Sequence, residues 1–280
     1  MSISLTNVQQ TEFDALVKME YHSRGFLLRD TIRIRTDVIG NTCQFRKVGQ
    51  VIANQVGYQN TITIQDPDFS AWTATLLKYA AGTGVDEIQD LTVNFDTKRE
   101  LAMVVAMAIG RRSDQIIINS FAGNASTTVA AGGTNCSYSK LRNVVQVFEQ
   151  NAVPLPERFY ICSGNNLRAL LASDQLISRF YTSNDAVVDG TLNYKDVLSM
   201  NVRIIPNMTE GGLPLNGNVR STYAYALMST GMAIGQDMRT EVNYLPRETT
   251  WFVNGLFFAG AVVIDNLGLI EVDCDESVNP

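Results

Sequence analysis

One histidine, His22, stands in the 280-residue chain, in the segment MEYHSRG. Any Ser-His-Asp or Cys-His nucleophilic site would have to use it. Ser163 lies in CSGNN, which is not the G-x-S-x-G elbow that presents a serine on a sharp strand-to-helix turn. Cys162 beside it ends a strand that reads as buried. Gly82-Thr83-Gly84 lacks the third glycine and the following helix pattern of a dinucleotide fingerprint, and no G-x-x-x-x-G-K-[ST] loop occurs, so the glycine pair reads as a plain turn. Two acidic clusters could attract a hard cation: Asp66-Pro67-Asp68, and Asp273 with Asp275 and Glu276. Neither has the spacing of a calcium loop; the first reads as a solvated turn, the second as a solvated tail. Cys43, Cys136, Cys162 and Cys274 are widely spaced with no C-x-x-C, a pattern of free thiols in a reducing compartment rather than a zinc site. Sequons at Asn124, Asn135 and Asn207 occur without a secretion signal and read as chance. No catalytic residue, metal or cofactor is expected.

The elements that would have to position any chemistry point elsewhere. Charged residues make up 18% of the chain, against about 25% in a typical soluble protein. A surface short of charge is expected to be covered by other copies. The net charge of -6 argues against generic wrapping of nucleic acid, which needs a basic stripe. Arg24, Arg29, Arg33, Arg35 and Arg46 are interspersed with acids and read as a solvated or subunit-contacting face. The longest apolar run near the end, Leu256 to Ile264, is nine residues, and a membrane span needs about 20. The chain reads as soluble and cytoplasmic where it is made.

Residues 8–22 read as a short amphipathic helix. From Thr31 the period changes to two, with Ile32 and Ile34 on one face and Arg33 and Arg35 on the other. Asn41–Val48, Thr61–Gln65 and Ala71–Leu77 read as extended, and residues 39–80 together as a long two-stranded excursion. An isolated two-stranded hairpin is marginal in water, so another subunit is expected to support it. A helix over 97–121 follows, about 38 Å long, with Thr97 and Glu100 at capping-box spacing and Gly123 as its stop. It is apolar nearly all round from Leu101 to Ile109, polar at Arg111, Arg112 and Asp114, and apolar again at Ile116-Ile117-Ile118. A loop at 125–137, a helix at 138–151, an α/β insert at 157–235 and a strand-rich C-terminal part complete the reading. Leu256–Ile264 is apolar on both faces, as in a central strand covered on both sides.

This order of parts resembles the major capsid protein of tailed bacteriophages, the Hong Kong 97-like fold that encapsulin nanocompartments also use. RTDVIGNTCQFRKVG at 35–49, VNFDTKRELAMVVAMAIGRRSDQIIINSF at 93–121 and AIGQDMRTEVNYLPRETTWFVNGLFFAGAVVID at 233–265 are similar to that family's rise into the extended loop, its spine helix and its closing sheet. The resemblance covers nearly the whole chain, though 125–220 matches by layout more than by wording. It implies an α+β fold with an N-terminal arm (1–38), an extended loop (39–80), a peripheral domain (81–152) carrying the spine helix 97–121, an axial domain (153–235), and a return to the peripheral sheet (236–280). It places Arg33, Arg35, Arg46, Lys47, Val51, Ile52, Tyr58 and Ile62 at subunit interfaces. Leu101, Val104, Val105, Arg111, Arg112 and Asp114 become structural residues of the spine helix.

The function implied is self-assembly, through hexamers and pentamers, into an icosahedral head enclosing phage double-stranded DNA without sequence-specific binding. The chain would be a virion component assembled in the bacterial cytoplasm. It begins directly with the arm, so a separate scaffolding protein, or removal of a fused scaffolding segment before this form, is expected, together with a portal and decoration proteins. Lys47 lies in the extended loop, but no motif marks lysine–asparagine cross-linking and none is expected. An encapsulin-like compartment is the alternative of the same fold; a cytoplasmic α/β enzyme with an unrecognised site is the alternative of another class.

Overall fold

The computed structural model describes residues 25–62, 64–88, 97–173, 187–188, 191–192 and 197–278. His22 and the helix expected over 8–22 lie outside the described residues. The described chain enters through β1 (Arg33–Arg35). Strands β2 (Thr42–Val48) and β3 (Phe69–Thr75) then pair antiparallel as a separate ribbon, and β4 (Leu77–Asp86) follows. Helix α1 (Thr97–Phe121) leads to β5 (Thr127–Val129), α2 (Tyr138–Gln150), β6 (Arg158–Ser163) and α3 (Gly164–Leu171). Two short strands, β7 (Val187–Val188) and β8 (Thr191–Leu192), pair with each other. The rest is β9 (Asn201–Ile205), β10 (Leu215–Asn216), β11 (Val219–Ala226), β12 (Thr230–Leu245), β13 (Thr250–Val263) and β14 (Leu269–Asp275).

These strands make two mixed sheets. One has the order β1-β12-β13-β4; the other runs β5-β14-β11-β6-β9, with β10 also on β11. Three expectations change here. The paired part of the excursion ends at Thr75, and its second strand is Phe69–Thr75, so the described residues Thr61, Ile62, Ile64 and Gln65 belong to no strand. Gly82-Thr83-Gly84 is not a turn but lies inside β4, paired with Asn254, Val253 and Phe252 of β13. The Phe252 ring stands 2.7 Å from where a Gly82 side chain would begin, so the glycine makes room for an aromatic neighbour on the pleated face. The C-terminal part does not return whole to one sheet. β12 and β13 do so, but β14 crosses to the second sheet, between β5 and β11. Its alternating residues have partners on both faces there.

The second sheet is buried on both faces, and period two decides which residue goes where. Every residue of β6 is buried. Phe159 and Ile161 join a core with Tyr223, Tyr225 and Leu269, while Tyr160 and Cys162 join a second core with Ala224, Ile270, Val272 and Cys274. Helix α2 closes the second core with Leu141, Val144 and Phe148, which repeat at helical spacing on one side. Ser137 caps its N-terminus by accepting from the Lys140 N–H.

Helix α1 spans the two sheets. Val105 and Ile109 pack on β13, where a side chain at Gly255 would start 2.6 Å from Val105. Phe121, at the other end, lies 4.8 Å from the Tyr225 ring and 5.4 Å from that of Tyr223. No single stripe serves two sheets, hence the lack of one in the sequence. The burial is distributed otherwise than the apolar residues imply. Gly110, Ser113 and Asp114 in the middle are buried, whereas Leu101 is partly buried and Val104 is exposed. The middle is covered by residues 25–28. Gly25, at φ +73°, lies so close to Gly110 that a Cβ there would sit 1.9 Å from its carbonyl carbon, an approach that only glycine permits. At the far end Gly123, also at φ +73°, takes the left-handed position after the helix.

Candidate functional site

The β2–β3 ribbon has a buried root and a bare tip. At the root Cys43, Phe45, Ala74 and Leu76 form a small core with Ala233 and Ile264. The Phe45 ring lies on Gly231 of β12, where an added Cβ would meet it at 2.8 Å. Arg33 covers the same ring, its guanidinium 5.7 Å from the centroid. Lys47 pairs with Asp265 at 2.8 Å, tying β2 to the turn after β13. Beyond Val48 the register is held by the Gly49 N–H on the Asp68 carbonyl at 2.7 Å and by the Ile52 N–H on Gln65 Oε1 at 3.0 Å.

The tip is apolar and uncovered. Val51, Ile52, Ile62, Ile64 and Phe69 are exposed, and Tyr58 is fully so. Exposed apolar side chains concentrated in one segment are a feature of association sites. Of the residues assigned to interfaces from sequence, the structure groups Val51, Ile52, Tyr58 and Ile62 on this tip. It places Arg33, Arg35 and Arg46 elsewhere, around an open groove of about 750 Å³ at the ribbon root that Asp37, Val38 and Ile39 also line. Arg35 donates to the Gln44 carbonyl at 3.5 Å. Lys47 faces a separate cleft of about 640 Å³, with Val48, Met228 and Leu267. Sequence reasoning missed Ile39, Ile64, Phe69, Trp72, Met228 and Leu267, all exposed. Phe69 and Trp72 carried a signal: two aromatics in a strand otherwise of Ser, Ala and Thr.

The polar middle of α1 has partners within the subunit. Asp114 accepts from the Leu27 and Leu28 N–H groups, both at 3.1 Å. Burial raises its pKa to about 6, against the lowering effect of those two bonds; the charge of Asp30 adds to the rise. Arg112 lies over the Tyr79 ring at 4.7 Å. Gly211 donates to Gln115 Oε1 at 2.8 Å, and a Cβ added there would begin 3.0 Å from the Arg111 carbonyl oxygen. Arg29 grips Asp237 through two bonds of 3.0 and 2.6 Å, and Arg203 bonds Asp30 at 2.7 Å. Arg29 of the arginine-rich start is thus engaged inside the subunit.

Glu276 is not part of a solvated tail. It receives Arg220 Nε at 2.6 Å, Arg220 Nη2 at 3.2 Å, Ser163 Oγ at 2.7 Å and Asn165 Nδ2 at 3.2 Å. Arg220 and Glu276 are both largely buried. Burial pushes the Glu276 carboxyl up, and these bonds more than offset it, leaving it below the usual carboxylate range. The signal missed was the pairing of β11 with β14, which sets Arg220 beside Cys274. Among the described residues no group of His, Cys, Asp and Glu could hold a metal ion, and no helix is long and apolar enough to cross a membrane.

The pattern is one of association, and the relatives agree. A family model described as phage capsid protein matches residues 5–276. The chain belongs to the phage capsid protein family. No curated protein sequence matches it. Among solved structures, this capsid protein is similar to a chain of Mycobacterium phage Che8, with TM-score 0.71 and 12% identity over 95% of this chain and 97% of that one. It is also similar to a chain of the capsid of cyanophage P-SCSP1u (TM-score 0.70, 13% identity, 92% and 91% covered). The capsid of Ralstonia phage GP4 gives TM-score 0.70 and 10% identity, with 96% and 98% covered. At such identities the likeness establishes the Hong Kong 97-like fold. Family and fold together make the chain a structural major capsid protein of the phage head shell, a virion component and not an enzyme.

Proposed function

We propose that this capsid protein assembles through hexamers and pentamers into an icosahedral head enclosing double-stranded DNA, with the β2–β3 ribbon laid over a neighbouring subunit. The observation that carries this is the ribbon itself: a root packed into its own subunit and a tip of Val51, Ile52, Tyr58, Ile62 and Ile64 with no cover. A two-stranded ribbon cannot bury its own faces, and a repeated heterologous contact that closes by rotation makes rings. Residues 81–152 act as the peripheral domain and 153–235 as the axial domain around the symmetry centres. The net charge of -6 lets DNA move along the wall without adhering. Assembly takes place in the host cytoplasm with a separate scaffolding protein and a portal, and decoration proteins bind outside.

Deletion of residues 50–62 tests the ribbon. The variant is expected to fold, with the wild-type melting profile, and to fail in forming shells under negative-stain electron microscopy. Normal shells from the deletion variant would remove the ribbon from the interface. Uniform shells of native size from the purified chain alone would rule out the need for a scaffold.

A further inference from the structure

The groove at the ribbon root carries more positive charge than the subunit itself neutralises. Arg33 and Arg35 of β1 and Arg46 of β2 line it, and Asp37 is the one acid among its lining residues. All three arginines are exposed, and none of them pairs with a carboxylate among the described residues. β1 is the edge strand of its sheet. Two of the arginines are held in place with donors to spare. The Arg33 guanidinium lies over the Phe45 ring, 5.7 Å from its centroid, and Arg35 reaches the Gln44 carbonyl at 3.5 Å. A guanidinium has five N–H donors in a fixed fork, so each keeps enough for a carboxylate. Beside them Val38 is half-buried and Ile39 fully exposed.

One stretch of the same chain has the complementary pattern. In Ile64-Gln65-Asp66-Pro67-Asp68-Phe69 both aspartates are exposed, as are Ile64 and Phe69 on either side. Neither aspartate pairs with a cation among the described residues. Pro67 biases Asp66 to extended backbone, and alternate residues of an extended chain point the same way, about 7 Å apart. Arg33 and Arg35 are alternate residues of a strand and have the same spacing.

We propose that Asp66 and Asp68 of one copy dock onto Arg33 and Arg35 of a neighbouring copy, each carboxylate taking one guanidinium, with Ile64 and Phe69 laid against Val38 and Ile39.

This inference rests on the ribbon lying over a neighbour and names what it meets there. Paired carboxylates match the guanidinium fork, which binds them through two parallel hydrogen bonds. The apolar side chains next to the arginines favour a protein segment over DNA, since a phosphodiester has nothing to set against Ile39. Acids and groove occupy different parts of one surface. Each copy therefore uses its acids on one neighbour and its groove on another, the heterologous arrangement that a ring requires. Arg46, on the same groove, adds to the field that draws the acids in.

The test uses the full chain expressed with the other head proteins of its phage, with shells read by sedimentation and negative-stain electron microscopy. Reversing either side, Asp66→Arg with Asp68→Arg or Arg33→Asp with Arg35→Asp, sets like charges together and should cut shell yield roughly tenfold or more. All four changes in one chain should restore most of it. The variant subunits should melt within about 2 °C of wild type, because the four side chains are exposed. Normal shell yield from either reversal would overturn the proposal, and if shells of the arginine reversal also retained less DNA, the groove would belong to phosphates instead. Failure of the combined variant to restore shells, from subunits that melt as wild type does, would overturn it too. Electron cryomicroscopy of wild-type shells decides the matter without any variant. Both carboxylates are expected within about 4 Å of the neighbour's Arg33 and Arg35. A ribbon over a neighbour with its acids elsewhere would overturn this inference and leave the ribbon reading intact; a ribbon clear of every neighbour would remove both.

Discussion

Asp114 in the middle of α1 accepts the Leu28 N–H at 3.1 Å across 86 residues of sequence, and the adjacent Leu27 N–H as well. This carboxylate is the polar fastening that brings residues 25–28 onto the helix. Removing it leaves one buried and one part-buried N–H group without that acceptor, so Asp114→Ala is expected to cost about 2–4 kcal/mol. Equilibrium unfolding in urea measures it. A variant within about 0.5 kcal/mol of wild type would mean that the fastening is dispensable.

The same residue makes stability depend on pH in an unusual direction. Its carboxyl titrates at about 6 in the folded chain and near 4 when unfolded. Between those values the folded state binds the proton and the unfolded state does not, so this group lowers stability as pH rises from about 4 to about 6. The full effect is about 3 kcal/mol. Asp114→Asn, which has no proton to bind, should flatten that part of the stability–pH curve relative to wild type. Parallel curves would refute the assignment.

Glu276 has the opposite sign. Its folded carboxyl titrates below the unfolded value, so its contribution is present above about pH 4.5 and is lost as pH falls through the lower folded value. Glu276→Gln is expected to destabilise by about 3 kcal/mol at pH 7, because it leaves the largely buried Arg220 without its countercharge. Thermal melts at pH 7 and pH 3 should show the gap between variant and wild type narrowing in acid; a constant gap would contradict the ion pair as its source.

Root and tip of the ribbon should separate folding from assembly. Phe45 is buried against Gly231, and Phe45→Ala should cost about 3–5 kcal/mol. Tyr58 is fully exposed, and Tyr58→Ser should leave the subunit's melting temperature within about 1 °C while slowing or abolishing shell formation by light scattering. Assembly at the wild-type rate would take Tyr58 out of the contact.

Much of the architecture was legible in the sequence because the periods were strong. Leu141, Val144 and Phe148 marked one face of α2, the alternation about Ile32 and Ile34 marked β1, and the apolar run at Leu256–Ile264 marked a strand covered on both sides. Val51, Ile52, Tyr58 and Ile62 are apolar groups among amides and glycines with no local partner to bury them, and they are exposed in the subunit. The groove residues were found but not their grouping, since Arg33 and Arg35 meet Arg46 only when β2 folds back beside β1. Glu276 was misread because an acidic cluster such as Asp273, Asp275 and Glu276 looks solvated until a distant arginine is brought to it.

The sequence by itself determined the α+β class, the long helix, the ribbon and the likeness to phage capsid proteins, all of which rest on local periodicity and on motifs within short stretches. Only the tertiary structure decided that β14 joins the second sheet, that Gly82-Thr83-Gly84 is strand, and that Asp114 and Arg220 with Glu276 each face partners far along the chain. Those outcomes depend on which strand edges pair and which backbones can approach closely. Such choices are set by the summed burial of two cores, and no short stretch of sequence contains that sum.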